Sequence, residues 1–495
     1  MLVGYVSNER YVAVPNVLFE FRGTAGVTTA TSTVSGAVYA EIEPGEYQVV
    51  LGREGYGSKL LTMTASDDSP YNFRVLSDSL LGYMWPKCVQ SGQRSEFRVH
   101  AVEEYELELW RYGADKEFIR RIGTFDEHGP RATMQITPDG DYTQTGIEWN
   151  KQGYNSPAHH QYIEAPERCG LYYFHARSKS GDFFTFPWVV GPKQPQSKIA
   201  VLASDITWNA YNSYGGRSNY IHPDKFPPTP TVNSRLELER YTDPDHISYK
   251  SIEYAPLSLD RPEPFNHIAE DEQITGPIGG RQGCHLAPAE WRLFGWMERD
   301  GFDYDLYGET QFHFDTFRLD DYRLLIISTH PEYWSKHMYD TLKSWVFERG
   351  GRLMYLGGNG FYWRIAYHDA LPGVLELRRA EGGMRYQTTE PGEYHQSFNG
   401  ELGGLWRRLG APPNTLVGAG TVGTGFDSAS YYRRTENSHD PRATFIFEGV
   451  GDDELIGDFG SLLGGAAGVE LDGANRKLGT PPHALVVARS EGIHS

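Results

Sequence analysis

Apolar and polar residues alternate along most of the first 190 positions, the two-residue period of half-buried strands. Val17-Leu-Phe-Glu-Phe-Arg22, Gly36-Ala-Val-Tyr-Ala-Glu-Ile42 and Gly45-Glu-Tyr-Gln-Val-Val-Leu51 predict strands in residues 1 to about 75, with a Pro-Gly turn ahead of the third. Ser95-Glu-Phe-Arg-Val-His-Ala101 and Leu107-Glu-Leu-Trp-Arg-Tyr112 predict two more, the second interrupted at Trp110. Gly170-Leu-Tyr-Tyr-Phe-His-Ala-Arg177 and Phe183-Phe-Thr-Phe-Pro-Trp-Val-Val190 follow after loops, and the stretch from Gly191 to Ser197 has the Pro-containing, polar composition of a linker.

From Lys198 the period changes. Ile199-Ala-Val-Leu202 is a short apolar run that ends in a polar loop, and Trp291 to Arg299 has a helical pattern. Leu324-Leu-Ile-Ile327 reads as a strand buried on both faces, after which Ser335 caps a helix through Met338, Leu342, Trp345 and Val346. Strands that alternate with helices predict a parallel α/β sheet. Residues near 375 to 450, rich in Gly, Arg and Tyr, are expected to lie over that sheet as an insertion.

Composition adds limits. A chain of 495 residues, 39% hydrophobic and 14% aromatic, is globular and divides into roughly two to four domains. No apolar run approaches the ~18 residues of a membrane span, and the N-terminus lacks a basic start followed by an apolar stretch, so no signal peptide is expected. Cys88, Cys169 and Cys284 are too far apart in sequence to suggest a disulfide framework or zinc cluster, which makes a reducing cytoplasm the expected location. A net charge of -19 argues against nucleic acid or an anionic membrane as partner.

The candidate chemistry sits at three strand ends, where open α/β sheets bind ligands. They are Asp205 to Tyr220, His330-Pro-Glu332 and Gly357-Gly-Asn359-Gly360. The turn after such a strand often carries a Ser or Cys nucleophile; with neither expected here, the usual covalent route is not expected. Tyr211, Tyr214 and Tyr220 cluster around Gly215-Gly216. They either pack, tyrosine being common in this chain, or line a site with Glu332. Phenolate and carboxylate are hard anionic oxygens that suit a hard cation such as ferric iron, which can polarise a carbonyl and acidify a water. No HExxH occurs. His159-His160 reads as a surface loop, and Gly276-Pro-Ile-Gly-Gly280 lacks the Lys-Ser/Thr ending of a phosphate loop.

Two of the β regions resemble known modules. The order of strands and the Pro-Gly-Glu-Tyr turn in residues 1–78 resemble carboxypeptidase-regulatory, transthyretin-like sandwiches, with a packing role expected over a docking one. Residues 79–192, with their Gly170-Leu-Tyr step, resemble an immunoglobulin-like sandwich.

The blocks from Thr207 to Tyr220, His330-Pro-Glu-Tyr-Trp-Ser335, Tyr355-Leu-Gly-Gly-Asn-Gly-Phe-Tyr-Trp363, and Gly468-Val-Glu-Leu-Asp472 with Leu478-Gly-Thr-Pro481 together resemble the large, catalytic subunit of N,N-dimethylformamidase and its homologues. The resemblance implies a class I glutamine-amidotransferase-like α/β domain over residues 198–495. It implies a mononuclear ferric iron held by Tyr211, Tyr220 and Glu332, with Tyr254 as the alternate second tyrosine. It also implies supporting roles for His330, Asn359 and Glu470, and hydrolysis of a small N-substituted amide such as N,N-dimethylformamide. A homo-oligomer or a complex with a small subunit would follow. The N-terminal region departs from the family's lectin-like jelly roll. The family also runs on past the Gly-Thr-Pro block into a strand and closing helix, so the chain is expected to be C-terminally incomplete or differently closed.

In this reading a water attacks the amide carbon, with Glu470 and His330 taking its proton and Asn359 orienting the substrate. Two other readings remain at this stage: a metal-free hydrolase with a carboxylate pair, acting on glycosides, and a non-catalytic binding protein.

Overall fold

A computed structural model describes residues 1–126, 137–147, 161–222, 225–232, 255–272, 286–371, 373–378, 395–459 and 464–490. Tyr254, His159-His160 and Gly276–Gly280 lie outside the described residues. The chain is multidomain and rich in β-structure.

The first strands form two facing sheets. Leu2–Ser7 pairs antiparallel with Ala37–Tyr39 and parallel with Tyr71–Arg74. The other sheet runs Gly26–Thr31, Leu18–Gly23, Gly45–Arg53, Gly57–Ala65, all antiparallel. Their inward residues, among them Val3, Phe19, Phe21, Val49, Leu51 and Phe73, make one core, as the alternation requires.

The second β unit packs Tyr162–Glu164, Arg94–His100 and Leu81–Trp85 against a five-stranded sheet. That sheet runs Lys116–Phe125, Tyr105–Tyr112, Gly170–Ser178, Phe183–Gly191, Cys88–Gln90. The break in alternation at Trp110 is one of residue type only: Trp110 shares the half-exposed face with Glu106 and Glu108, and the register shift beside it leaves Ile119 of the partner strand unpaired. Gly170–Ser178 and Phe183–Gly191 are buried on both faces. One face lines the sandwich core with Phe174, Phe186 and Trp188. The other places Leu171, Tyr173 and Val189 in a core shared with Trp208, Trp291 and Ile326 of the following unit.

That unit holds a four-stranded parallel sheet in the order Asp305–Gly308, Ile199–Ala203, Leu324–Thr329, Arg352–Gly357. Helices Asp205–Tyr211, Ala287–Arg299 and Lys336–Phe347 connect or flank the strands. Ser335 caps the last of these, its hydroxyl accepting from the Met338 N–H at 3.3 Å. Met338, Leu342 and Trp345 are buried at helical spacing. Between turn and helix the sequence hid a short strand, Tyr333–Ser335, which opens a second sheet with Trp363–Tyr367 and Val374–Leu377. Val374–Leu377 is therefore a buried strand rather than the start of an overlying insertion. Later in the same region, Gly420–Ser430 pairs antiparallel with Ala467–Gly473. Among the described residues no helix is long and apolar enough to cross a membrane.

Two stability tests follow. Ile327, 0% exposed in the central parallel strand, should cost about 2–5 kcal/mol when changed to Ala. Met354→Ala, on the exposed side of the edge strand, should stay within about 0.5 kcal/mol; denaturation midpoints of the two variants check this. His175 is buried against Trp110 and bonded to the Tyr112 hydroxyl at 2.7 Å. Burial, then the charges of Lys116 and Arg177, holds its pKa down at about 3. The neutral ring therefore stabilises the fold fully above the unfolded value near 6.5, and that contribution drains as pH falls from there toward 3. Relative to His175→Gln, the wild-type midpoint should fall between pH 7 and pH 4 and hold constant above 7.

Candidate active site

The site lies at the carboxyl ends of the parallel strands, where loops leave the sheet. The helix Asp205–Tyr211 leaves the Ile199–Ala203 strand and ends with Tyr211 pointing at the turn that follows the Leu324–Thr329 strand. The chain then doubles back to bring Tyr220 beside Tyr211, the rings stacked 4.5 Å apart. Gly215 and Gly216 make this return possible: both have φ above +90°, which only glycine adopts cheaply. A Cβ on Gly216 would also meet Tyr11 at 2.5 Å, and one on Gly215 would meet Thr143 at 2.4 Å. The N-terminal unit grips this loop. The Gly215 N–H donates to the Glu9 carbonyl at 2.6 Å, and Arg74 donates to the Gly215 carbonyl at 2.9 Å. From the other side Arg261 donates to the carbonyls of Tyr214 and Arg217.

Glu332 is 2% exposed and is met from several directions. The Tyr211 hydroxyl donates to Oε2 at 3.0 Å; the Tyr220 hydroxyl lies 2.7 Å from Oε1 and 2.8 Å from Oε2. The two hydroxyls are 3.1 Å apart. Asn359 Nδ2 approaches Oε1 at 3.4 Å and also donates to Glu470 at 3.2 Å. His330 Nε2 stands 3.1 Å from the Tyr211 hydroxyl, from Glu332 and from Glu470. The backbone is fixed as well, because the Glu332 N–H donates to Thr207 and its carbonyl accepts from the N–H groups of Tyr362 and Trp363.

Electrostatics follow from this geometry. Burial drives the Tyr211 and Tyr220 hydroxyls well above the usual tyrosine value, and the Glu332 charge adds to it. Without a cation both phenols therefore keep their protons and donate. Burial disfavours the His330 charge, but Glu332, Glu470 and Asp472 outweigh it and raise His330 to about 9. For Glu332 the balance goes the other way: burial raises its pKa, yet His330 and the two phenols bring it below the ordinary value. Glu470 is raised to about 7 by burial and by the charges of Glu332 and Asp472, against His330. One carboxylate is thus held ionised while a second, 3.1 Å from the same imidazole, is poised to take or give a proton.

The structure brings Tyr211, Tyr220, Glu332, His330, Asn359 and Glu470 into one network. Tyr214 leaves it, packing with Tyr142, Tyr83 and Ile147 instead. Sequence reasoning missed four participants. The Tyr333 hydroxyl donates to that of Tyr220 at 2.6 Å. Asp472 accepts from the Asn359 N–H at 3.0 Å and the Tyr355 hydroxyl at 2.9 Å. Thr421 hydrogen-bonds the Asn359 side-chain oxygen. Asn359 sits at φ 54°, so these contacts hold a left-handed turn in place. The signal for Asp472 was its two-residue offset from Glu470 on a strand, which puts both on one face.

The donor set fits a hard cation. Two phenol oxygens and a carboxylate, 2.7–3.1 Å from one another, are three oxygen-donor groups of which two become anionic only when a cation displaces their protons. Among the described residues no group of three or more His, Cys, Asp or Glu side chains is arranged to hold a metal; this set differs in being two-thirds phenol.

Comparison with known proteins adds the family. The model of the family described as N,N-dimethylformamidase beta subunit-like, C-terminal, matches residues 108–495. The N,N-dimethylformamidase beta subunit of Paracoccus aminophilus is 28% identical over 517 residues, covering 94% of this chain and 64% of that protein. The beta subunit from an Alcaligenes species is 37% identical over 382 residues, covering 69% of this chain and 48% of that protein. The chain thus aligns with about half to two thirds of the length of these relatives. A solved DUF3823 family protein from Bacteroides ovatus aligns over 37% of this chain and 97% of its own, at 10% identity and a TM-score of 0.14, too low to assign a fold. The family match extends over most of the sequence and includes every residue of the Tyr211, Tyr220, Glu332 network: the chain belongs to the N,N-dimethylformamidase beta subunit-like family.

Proposed function

We propose that this chain is a catalytic subunit that hydrolyses the C–N bond of a small N-substituted amide, with N,N-dimethylformamide as the type substrate. The carrying observation is the convergence of the Tyr211, Tyr220 and Glu332 oxygens with Glu470 and His330 beside them. Names of the relatives supply the amide class. We read the parallel sheet as a class I glutamine-amidotransferase-like domain over residues 198–495, preceded by units at 1–78 and 79–192. Because the relatives are named as beta subunits, assembly with a smaller subunit or as a homo-oligomer belongs to the same proposal.

In this mechanism Tyr211, Tyr220 and Glu332 would hold a mononuclear ferric ion. Such a cation, when bound, polarises a carbonyl oxygen and makes a water more acidic. Glu470, with its pKa near 7, accepts the proton of the attacking water on the oxygen that faces His330. His330 keeps that carboxylate in place and balances the charge it gains or loses. Asn359, fixed by Asp472 and Thr421, orients the substrate carbonyl through its amide. As the C–N bond of the tetrahedral adduct breaks, Glu470 returns its proton to the leaving amine nitrogen. Formic acid and a secondary amine leave when the substrate is N,N-dimethylformamide, the acid passing its remaining proton to the amine in solution, and Glu470 is regenerated.

Metal analysis and an absorption spectrum of the purified chain, followed by an amide turnover assay, test this. Stoichiometric iron with a visible tyrosinate-to-iron band, lost in Tyr211→Phe together with turnover, is the expected result. Glu470→Gln should keep its iron and lose about 100- to 10,000-fold in kcat. Turnover that survives complete chelation would move the assignment to a metal-free carboxylate pair. A metal-free chain that turns over nothing would favour a binding protein.

A further inference from the structure

Glu290 lies on the helix Ala287–Arg299, outside the tyrosine and carboxylate cluster, and is 0% exposed. One of its oxygens, Oε1, is met by three donors. The Ser204 N–H donates at 3.1 Å, the Trp208 indole N–H at 2.9 Å, and the Thr329 hydroxyl lies at 3.3 Å. Ser204 and Trp208 belong to the start and middle of the helix that ends at Tyr211. Thr329 ends the strand from which His330 and Glu332 depart. A single buried oxygen therefore joins the two elements that present the oxygens of the site.

Thr329 also needs holding. Its φ is +57°, a left-handed conformation that costs a β-branched residue about 1–3 kcal/mol and persists only where its surroundings enforce it. Its hydroxyl is shared between the Ser328 carbonyl at 2.8 Å and Glu290. Its own carbonyl is pressed so close to Gly357 that a Cβ there would stand 2.8 Å away. The second Glu290 oxygen, Oε2, is buried without a hydrogen-bond partner among the described residues. Burial, with Asp205 nearby, raises the carboxyl to about 8, so a neutral group does the accepting at neutral pH.

We infer that Glu290 is a positioning residue for the metal site, the shared acceptor that locks the Tyr211 helix to the strained Thr329 turn carrying Glu332. The inference rests on the metal reading above and deepens it. A neutral acceptor of the same shape suffices, so Glu290→Gln keeps wild-type behaviour. Glu290→Leu leaves two buried donors, the Ser204 N–H and the Trp208 indole N–H, without their acceptor, removes the Thr329 contact, and lets helix and turn drift apart.

The test is ferric-iron affinity, measured by competition with a chelator and by the visible band, in wild type, Glu290→Gln, Glu290→Leu and Thr329→Val. Ile327→Ala serves as a control that destabilises the same sheet without removing any of these hydrogen bonds. Glu290→Leu and Thr329→Val should weaken iron binding by about 10- to 100-fold and shift the band, while Glu290→Gln and the Ile327 control keep both. An unchanged affinity and band in Glu290→Leu, or in Thr329→Val should the Leu variant fail to fold, overturns this inference and leaves the metal reading standing. A wild-type chain that binds no ferric iron overturns both.

Discussion

A carboxylate buried away from water has to be compensated where it stands, and in this protein that carboxylate is Glu332. An unpaired charge in the interior costs several kcal/mol, and partial pairing recovers only part of it. Glu332 is answered by two phenols, an amide and an imidazole, each from a different stretch of chain. The helix ending at Tyr211, the loop returning to Tyr220, the turn at Asn359 and the strand end that carries His330 must all arrive in register for that compensation to be complete. The same set of oxygens that neutralises one another in the metal-free chain is what would receive a cation, with the phenol protons released as it binds.

The β units take part in this constraint. The N-terminal unit holds the glycine loop through Glu9 and Arg74, and so sets the path by which Tyr220 reaches Tyr211. The second unit shares a core with the parallel sheet through Tyr112, Tyr173 and Val189 against Trp208 and Trp291. Trp291 donates its indole N–H to the Gly113 carbonyl at 2.8 Å, and Arg111 pairs with Glu298 at 2.5 Å. The helix that carries Glu290 is thus seated between sandwich and sheet. Both units pack against the unit that carries the site.

Much of the site was legible because its signals are local. The apolar run from Leu324, the Ser335 cap and the polar residues between them define strand, turn and helix within one short window, and the structure reproduces them. The helix after residue 286 begins earlier than its pattern, since Ala287-Pro-Ala supplies a helix start without an apolar stripe. Tyr214 was drawn toward the site by proximity in sequence, yet the positive φ of Gly215 and Gly216 turns the chain after it and leaves it in another core. The contact between Thr421 and Asp472 was out of reach. They oppose each other across an antiparallel pair whose members are 51 residues apart, and no local pattern records such a pairing. Thr329 shows the same limit. The sequence places a threonine at this turn, but its left-handed conformation and the sharing of its hydroxyl between the Ser328 carbonyl and Glu290 depend on a helix distant in sequence.

The central claim is that Tyr211, Tyr220 and Glu332 hold one ferric ion. Crystals of the chain loaded with ferric iron, measured above and below the iron absorption edge, address it directly. The account predicts a single anomalous peak bounded by the Tyr211 and Tyr220 hydroxyls and the Glu332 carboxylate. A peak elsewhere, or none in a chain that hydrolyses amides, would contradict it.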